Sequence, residues 1–383
     1  MEYTPQVIEA IREYAAIGYS SYTIINKLQQ RGLGLFGESR IREYMRGYRR
    51  SEIGETEVKN EQVPTVRDLI ESFRSEHERL PDVPLHLGAT RVADMGFDTP
   101  QEAVAVFSDY HYGGKVDPRV TGGIGGYNAE IARERLARWR NGVLRFTQML
   151  QLAIQVPVLN MLALGDDMEG NGHMFPTQAL QMEFSAYFQF MGFVEDVTEV
   201  LVSMLSRFEF INVFKVFGNH GRMAGKWKEN YDPDNIELMA WQLIKEKCEH
   251  AAPGRFQFSI SDSFWHVVRI QGYSFLIRHG DGLNPFSTYT GVTDTKLATN
   301  SILGEVVNYM VVAHHHTAYE REEEIEGSVI GNGCFVGPSL YALKGKRPRA
   351  NRPSQEMFFV HPKYGITHKH RIHLATPAEV RGI

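Results

Sequence analysis

Apolar residues keep two rhythms along this chain. Beyond residue 100, short runs rich in β-branched and aromatic residues alternate with longer stretches of helical period. Strand-length runs extend from Ala103 to Ser108, Val156 to Leu164, Ile211 to Phe217, Tyr273 to Arg278 and Tyr309 to Ala313. Further runs follow at Val329 to Val336, Met357 to Val360 and His370 to Leu374. Residues 129–152 set Leu136, Trp139, Val143, Phe146 and Leu150 on one helical face, which leaves Arg133, Arg135, Arg138 and Arg140 for solvent. Pro176 to Arg207 predicts a second long helical region, whose Met and Phe content suits core or dimer packing. Asp234 stands where it would cap a third helix, Ile236 to Glu249. Strands alternating with helices predict an α/β body over residues 85–383.

Residues 1–50 read differently. Thr4-Pro5 opens a helix with Ile8, Ile11 and Ala15 at helical spacing, and Gly18 ends it. Ser21 caps a second helix with Ile24, Ile25 and Leu28 on one face. After a glycine-rich turn, Ser39 caps a third, carrying Ile41, Tyr44, Met45 and Tyr48, with Arg40, Arg42, Arg46, Arg49 and Arg50 on its other faces. Three short helices ending in a basic one resemble a helix-turn-helix module that binds DNA. A docking or oligomerisation cap with a solvated arginine face is the other reading. Residues 51–84 are expected to be an acidic linker and a connecting helix that stops before Pro81.

Composition narrows the class. A content of 43% hydrophobic and 23% charged residues is ordinary for a globular protein. No stretch approaches the roughly 20 apolar residues of a membrane span, and Met1 to Pro5 lacks the pattern of a secretory signal. Cys248 and Cys334 make no disulfide framework, which fits a reducing cytoplasm. A net charge of -5 argues against a globally basic nucleic-acid binder but leaves room for local basic surfaces.

Chemistry gathers at the ends of the strand-like runs. The first five end on Asp109-Tyr110-His111, Gly165-Asp166-Asp167, Gly218-Asn219-His220, His279-Gly280-Asp281 and His314-His315-His316. Strand ends are where α/β folds bind ligands. The i, i+2 spacing of Asp109/His111 and of His314/His316 suits a strand end where alternate side chains share a side, with His315 turned away.

The ordered set DxH, GDxx(D/E), GNH, H and HxH, from Ala103 to His316, is similar to the signature of the calcineurin-like metallophosphoesterase superfamily. That resemblance implies a β-sandwich of two sheets flanked by helices on both sides, with two divalent metals at one end. It assigns one metal to Asp109, His111, Asp166 and His316, and the other to Asp166, Asn219, His279 and His314, with Asp166 as the bridge. Oxygen and imidazole ligands without thiolate suit Mn²⁺ first, with Fe²⁺ or Zn²⁺ as alternatives. A hydroxide bridging the metals would attack phosphorus while His220 serves the leaving oxygen. Glu169 stands where the family usually has an Asp that pairs with this histidine. Arg222 is a candidate for the phosphate, with a surface salt bridge as its other reading.

Departures point to substrate. Ser/Thr protein phosphatases of the superfamily read GDxxDRG and GNHE, whereas Gly165 to Gly170 lacks the arginine and Gly221 follows His220. Asp109-Tyr110-His111-Tyr112-Gly113 looks like the DxHxG opening of SbcD-type DNA repair exonucleases and compact phage-type phosphoesterases. The basic stretch Lys344 to Arg352 would suit a phosphate backbone. The leading expectation is a DNA phosphodiesterase or nuclease. The alternatives are a phosphoesterase for small nucleotides or phosphoproteins, and a DNA-binding or assembly protein keeping a metal site. DNA is the expected partner, and homo-oligomerisation is left open. His368, His370 and His373 form a rival metal candidate but lack a carboxylate, so a surface strand is preferred. Gly122 to Gly126 is followed by no GK(S/T), and a mobile loop beside the metals is expected rather than a phosphate loop.

Overall fold

Strand β1, Glu102–Phe107, is buried at every position after its first. Ala103, Ala105 and Phe107 face one core, while Val104 and Val106 face another. A strand covered on both faces needs apolar residues throughout, which is why the sequence shows an unbroken run and no alternation. The computed structural model describes residues 4–16, 21–33, 41, 99–170, 172, 178–223, 234–283, 291–322, 327–344 and 350–382. It divides into two compact units, Met1–Glu78 and Arg79–Ile383.

In the larger unit, β1 pairs in parallel with β2 (Val158–Ala163), which continues through β3 (Phe210–Lys215) to β4 (Phe256–Ile260). On its other side β1 pairs antiparallel with β10 (Ser354–His361), and β10 with β11 (Gly365–His373). The second sheet contains β5 (Trp265–Ile270), β6 (Tyr273–Arg278), β7 (Tyr309–Val312), β8 (Tyr319–Glu322) and β9 (Ser328–Gly331), in the order β5-β6-β7-β9-β8. Val104, Val106, Leu162 and Val216 meet Phe275, Ile277, Val311 and Ile330 between the sheets. Outside the first sheet, Leu136 and Trp139 of the helix Ala129–Gln151, Phe193 and Leu201 of Ala186–Met204, and Trp241 of Ile236–Ala251 cover Ala105, Phe107 and Met161. Outside the second, Leu303 of Gly291–Leu303 packs with Met310 and Val312. This is a mixed α/β sandwich with helices on both outer faces. Among the described residues no helix is long and apolar enough to cross a membrane.

Several local expectations change. The run from Val329 to Val336 is strand only to Gly331, because the chain then turns and Phe335 N donates to Asp109 O at 3.1 Å. Asn235, not Asp234, caps its helix, accepting from Glu237 N at 3.0 Å. The region from Pro176 is broken, with a single 3₁₀ turn, Gln178–Gln181, before Ala186–Met204. Arg135 leaves solvent and donates to Phe335 O and Val336 O at 2.5 and 2.8 Å, closing a loop whose carbonyls would otherwise be orphaned. The glycine loop is tied to the body, since Gly125 N donates to Val380 O at 2.8 Å and the Tyr127 hydroxyl to Tyr110 O, between Asp109 and His111.

The smaller unit holds helices Pro5–Ala16 and Ser21–Gln30. Val7, Ala10, Ile11 and Tyr14 pack with Ile24, Ile25, Leu28 and Ile41, so the first helix buries a face one step round from Ile8, which is half-buried. The arginines expected on the third helix, and the linker and connecting helix of residues 51–84, lie outside the described residues.

Candidate metal centre

Beyond the ends of β1, β2, β3, β6 and β7, the chain brings all seven expected ligands together. Asp109, His111 and His316 form one group and Asp166, His279 and His314 another, with the ligand atoms of each within 4.8 Å of one another. His279 Nε2 lies 3.0 Å from Asn219 Oδ1, 3.1 Å from Asp166 Oδ2 and 3.1 Å from His314 Nδ1. His111 Nε2 lies 3.2 Å from His316 Nε2 and 3.7 Å from Asp166 Oδ2, which puts Asp166 between the groups.

Unless a positive charge stands among them, these contacts set lone pair against lone pair. His279 Nδ1 donates to Leu164 O at 2.7 Å, and His111 Nδ1 to Glu169 Oε2 at 3.1 Å. With Nδ1 of each ring committed to an oxygen, Nε2 is the atom turned toward the other ligands, an arrangement that second-layer partners commonly enforce on metal-binding histidines. Asp109 Oδ1 is buried, accepts no hydrogen bond from the described residues and stands 3.3 Å from His316 Nε2. Such a set is favourable only around positive charge. Burial opposes charge on His279, yet Asp166 outweighs it and pushes the imidazole up to about 9. Burial and then the neighbouring His279 hold His314 down at about 4. Two divalent cations in place of protons fit this donor set of two carboxylates, four imidazoles and an amide oxygen.

The backbone has a feature the spacing did not announce. Among the described residues six non-glycines adopt positive φ, and five are ligands: Asp109 (53°), His111 (46°), Asp166 (55°), His314 (67°) and His316 (53°). Left-handed backbone costs about 1 kcal/mol or more per residue, so it persists only where the surroundings impose it. Asp109 N donates to Gly165 O at 3.0 Å and His111 N to Asp166 O at 2.9 Å. The ligands thus sit in left-handed turns past the strands, and strand alternation is not what makes alternate residues converge. His315 does turn away, its Nε2 lying 3.0 Å from Leu283 O.

Two glycines let the loops after β2 and β3 touch. A Cβ on Gly218 would lie 2.1 Å from Asp166 N and 2.2 Å from Asp166 Oδ1, and one on Gly165 (φ 92°) 2.2 Å from Gly218 N. Gly218→Ala should therefore displace Asp166, cost about 1–3 kcal/mol of stability as overpacking does, and reduce bound cation below two per chain. Calorimetry and metal analysis check this, and an unshifted transition with full loading would contradict it.

A second layer escaped the sequence reading. Ser108 Oγ donates to Asp109 Oδ2 at 2.6 Å and accepts from Asn332 Nδ2 at 2.7 Å, while Gln355 Oε1 accepts from Ser108 N at 3.1 Å. Beneath Asp166, Lys215 Nζ donates to Asp167 Oδ2 at 2.6 Å and to Glu237 Oε2 at 2.7 Å, all three side chains fully buried. Glu237 also accepts from Asp167 N and Gly218 N, each at 3.1 Å, and Trp241 Nε1 donates to Asp167 Oδ2 at 2.7 Å. A lysine inside the strand-like run from Ile211 to Phe217 was the available signal for this cluster.

Among the expected catalytic residues, His220 Nδ1 lies 3.0 Å from Glu169 O and 3.5 Å from Glu169 Oε1. Burial opposes charge on His220, but Asp166 and Glu169 push it up to about 9. The Glu169 carboxylate meets both rings, Oε2 at 3.1 Å from His111 Nδ1 and Oε1 at 3.5 Å from His220 Nδ1. Arg222 is 7% exposed and its guanidinium pairs with Asp281, so it is no surface salt bridge. The basic stretch contributes differently from expectation at its described end: Asn351 Nδ2 donates to His316 O at 3.2 Å, and Arg352 Nε to Ala375 O. Residues 345–349 lie outside the described residues. Among the described residues His368, His370 and His373 belong to no metal-holding group, and His370 stacks on Phe146 at 4.2 Å. Cys334, outside the ligand-bearing motifs, has its Sγ 4.0 Å from His316 O.

No family model and no curated protein matches the chain. Among solved structures it is similar to a dimetal phosphatase from Danio rerio, at 11% identity over 72% of this chain and 100% of that one, TM-score 0.35. Vacuolar Protein Sorting 29 from Cryptosporidium parvum is similar at 12% identity over 72% and 100%, TM-score 0.33. A predicted phosphoesterase from Streptococcus pneumoniae is similar at 10% identity over 71% and 98%, TM-score 0.25. Likenesses this distant carry no functional weight, which falls on the side chains themselves.

Proposed function

We propose that the protein is a two-metal phosphoesterase of the calcineurin-like type, acting on phosphodiesters, with DNA as the leading substrate and Mn²⁺ as the leading metal. The convergence of lone pairs from Asp109, His111, Asp166, Asn219, His279, His314 and His316 supports it. Two cations held there would supply Lewis acidity and a water-derived nucleophile at neutral pH. The protein's own residues orient and protonate. Asp166 Oδ1 accepts from His220 N at 2.8 Å, which ties the histidine to the bridging ligand. With Nδ1 committed to Glu169 O, His220 keeps Nε2 to carry a proton to the leaving oxygen. Gln178 Nε2, 3.3 Å from the same Nδ1 and 2.6 Å from Glu169 O, helps fix the ring.

DNA is favoured by the DxHxG opening and by the missing arginine of the phosphoprotein phosphatases. The N-terminal helices are proposed as a duplex-binding module on their sequence pattern. The test is hydrolysis with Mn²⁺ of single- and double-stranded DNA, RNA, cyclic nucleotides and a phosphopeptide. Cleavage of DNA is expected. Cleavage of only small nucleotides or phosphopeptide moves the substrate, and no cleavage with Mn²⁺, Fe²⁺ or Zn²⁺ ends the reading. His220→Ala should lower turnover roughly 10²–10⁴-fold, the usual worth of a positioned acid, with both metals still bound. Metal loss in that variant would make His220 a ligand.

A further inference from the structure

Arg222 and Asp281 come from different loops, two residues past His220 and two past His279. The Arg222 side chain is 8% exposed and its Nη2 donates to Asp281 Oδ2. Its Nε is buried with no hydrogen-bond partner among the described residues. A buried guanidinium N–H left unpaired is costly, and native proteins seldom keep one without use. Asp281 follows His279 by two residues in the loop after β6, and the charges of His279 and His314, which would hold the second cation, act on it. The pair therefore borders the residues that would hold the second cation, with Nε of the arginine unpaired among the described residues and a fixed negative charge beside it.

We propose that this pair selects a singly charged phosphodiester over a doubly charged phosphomonoester, with Arg222 Nε donating to a non-bridging phosphate oxygen and Asp281 offsetting the positive charge that a second phosphate charge would need. It rests on the two-metal reading above. Asp281 touches no substrate; it positions Arg222 and sets the local field. Arginine forks suit phosphate because two donors meet two oxygens. Here Asp281 occupies one arm, which leaves fewer donors for the phosphate. A Lys in place of Arg222 would lack the Nε donor altogether. Hydrolysis of a diester adds hydroxide to phosphorus, breaks one P–O bond and places the proton on the departing oxygen. Its product is a monoester, which this site would then release rather than cleave again.

The experiment compares the Mn²⁺-loaded protein with Asp281→Asn, a substitution that keeps size and removes charge. kcat/KM is measured on bis-p-nitrophenyl phosphate and on p-nitrophenyl phosphate, and the binding of inorganic phosphate and of dimethyl phosphate is measured by calorimetry at pH 8. Asp281→Asn should lower the diester-to-monoester ratio at least tenfold, chiefly by gain on the monoester, and tighten inorganic phosphate at least fivefold without tightening dimethyl phosphate. A parallel fall on both esters with unchanged phosphate binding would mean that Asp281 only props Arg222, and it overturns the inference. If Asp281→Asn fails to fold, Arg222→Lys provides the second arm: loss should be greater on the diester, and equal loss on both overturns the inference. Inactivity of the unaltered protein on both esters overturns the two-metal reading as well, whereas activity with an unmoved ratio overturns this inference alone.

Discussion

Asp166→Asn should abolish hydrolysis while leaving the fold intact. Asp166 is the one carboxylate lying between the two groups, with Oδ2 at 3.1 Å from His279 Nε2 and 3.7 Å from His111 Nε2. Asparagine keeps an oxygen there but removes the negative charge that both cations would share. A fall of at least about a thousandfold, roughly 4 kcal/mol of transition-state stabilisation, is expected, together with loss of one or both metals. The backbone should tolerate the change, because Asp166 holds φ 55° and asparagine visits that left-handed region as readily as aspartate. Urea midpoints measured in chelator should match those of the unaltered protein, and metal analysis should not. Two bound metals with near-normal turnover would remove Asp166 from its bridging place.

Lys215→Met should have the largest effect on stability. Methionine fills the volume of lysine, yet it strands Asp167 and Glu237 as two carboxylates in full burial. Burial and then Glu237 already push Asp167 up to about 7 with the lysine present. Removing one partner of a buried ionic cluster typically costs about 3–5 kcal/mol. The urea midpoint checks the loss, and a change under about 1 kcal/mol would show the cluster to be inert. Adding Asp167→Asn and Glu237→Gln to Lys215→Met should recover part of the loss, since uncharged amides no longer need the ammonium. Metal affinity should fall in the single variant too, because Glu237 holds the backbone of Asp167 and Gly218 on either side of the bridging ligand.

Some of this was legible and some was not, for physical reasons. The five ligand-bearing ends could be read because strands buried on both faces are unbroken apolar runs, and a polar triplet at their end stands out. Strand β8, Tyr319–Glu322, could not, because its alternate positions are exposed and carry charge. The ligands were found by motif, but the reason they converge was missed: positive φ at aspartate and histidine leaves no mark in composition. Arg135 looked like its helical neighbours, and only the tertiary fold sets the carbonyls of Phe335 and Val336 against it. Ser108, Asn332 and Gln355 are ordinary residues, far apart in sequence, that matter only once β1 lies beside β10.

The pairing of β1 with β10 bears on how the protein is made. Ser108 N and Gln355 Oε1, 247 residues apart, join in one hydrogen bond next to Asp109. A ribosome delivers β1 to β3 long before β10, and long-range pairings must wait for both partners. Until β10 emerges, the carboxylate expected to grip the first cation lacks its brace. The metal centre should thus stay incomplete throughout most of translation, and a nascent chain stalled before residue 354 should not retain metal.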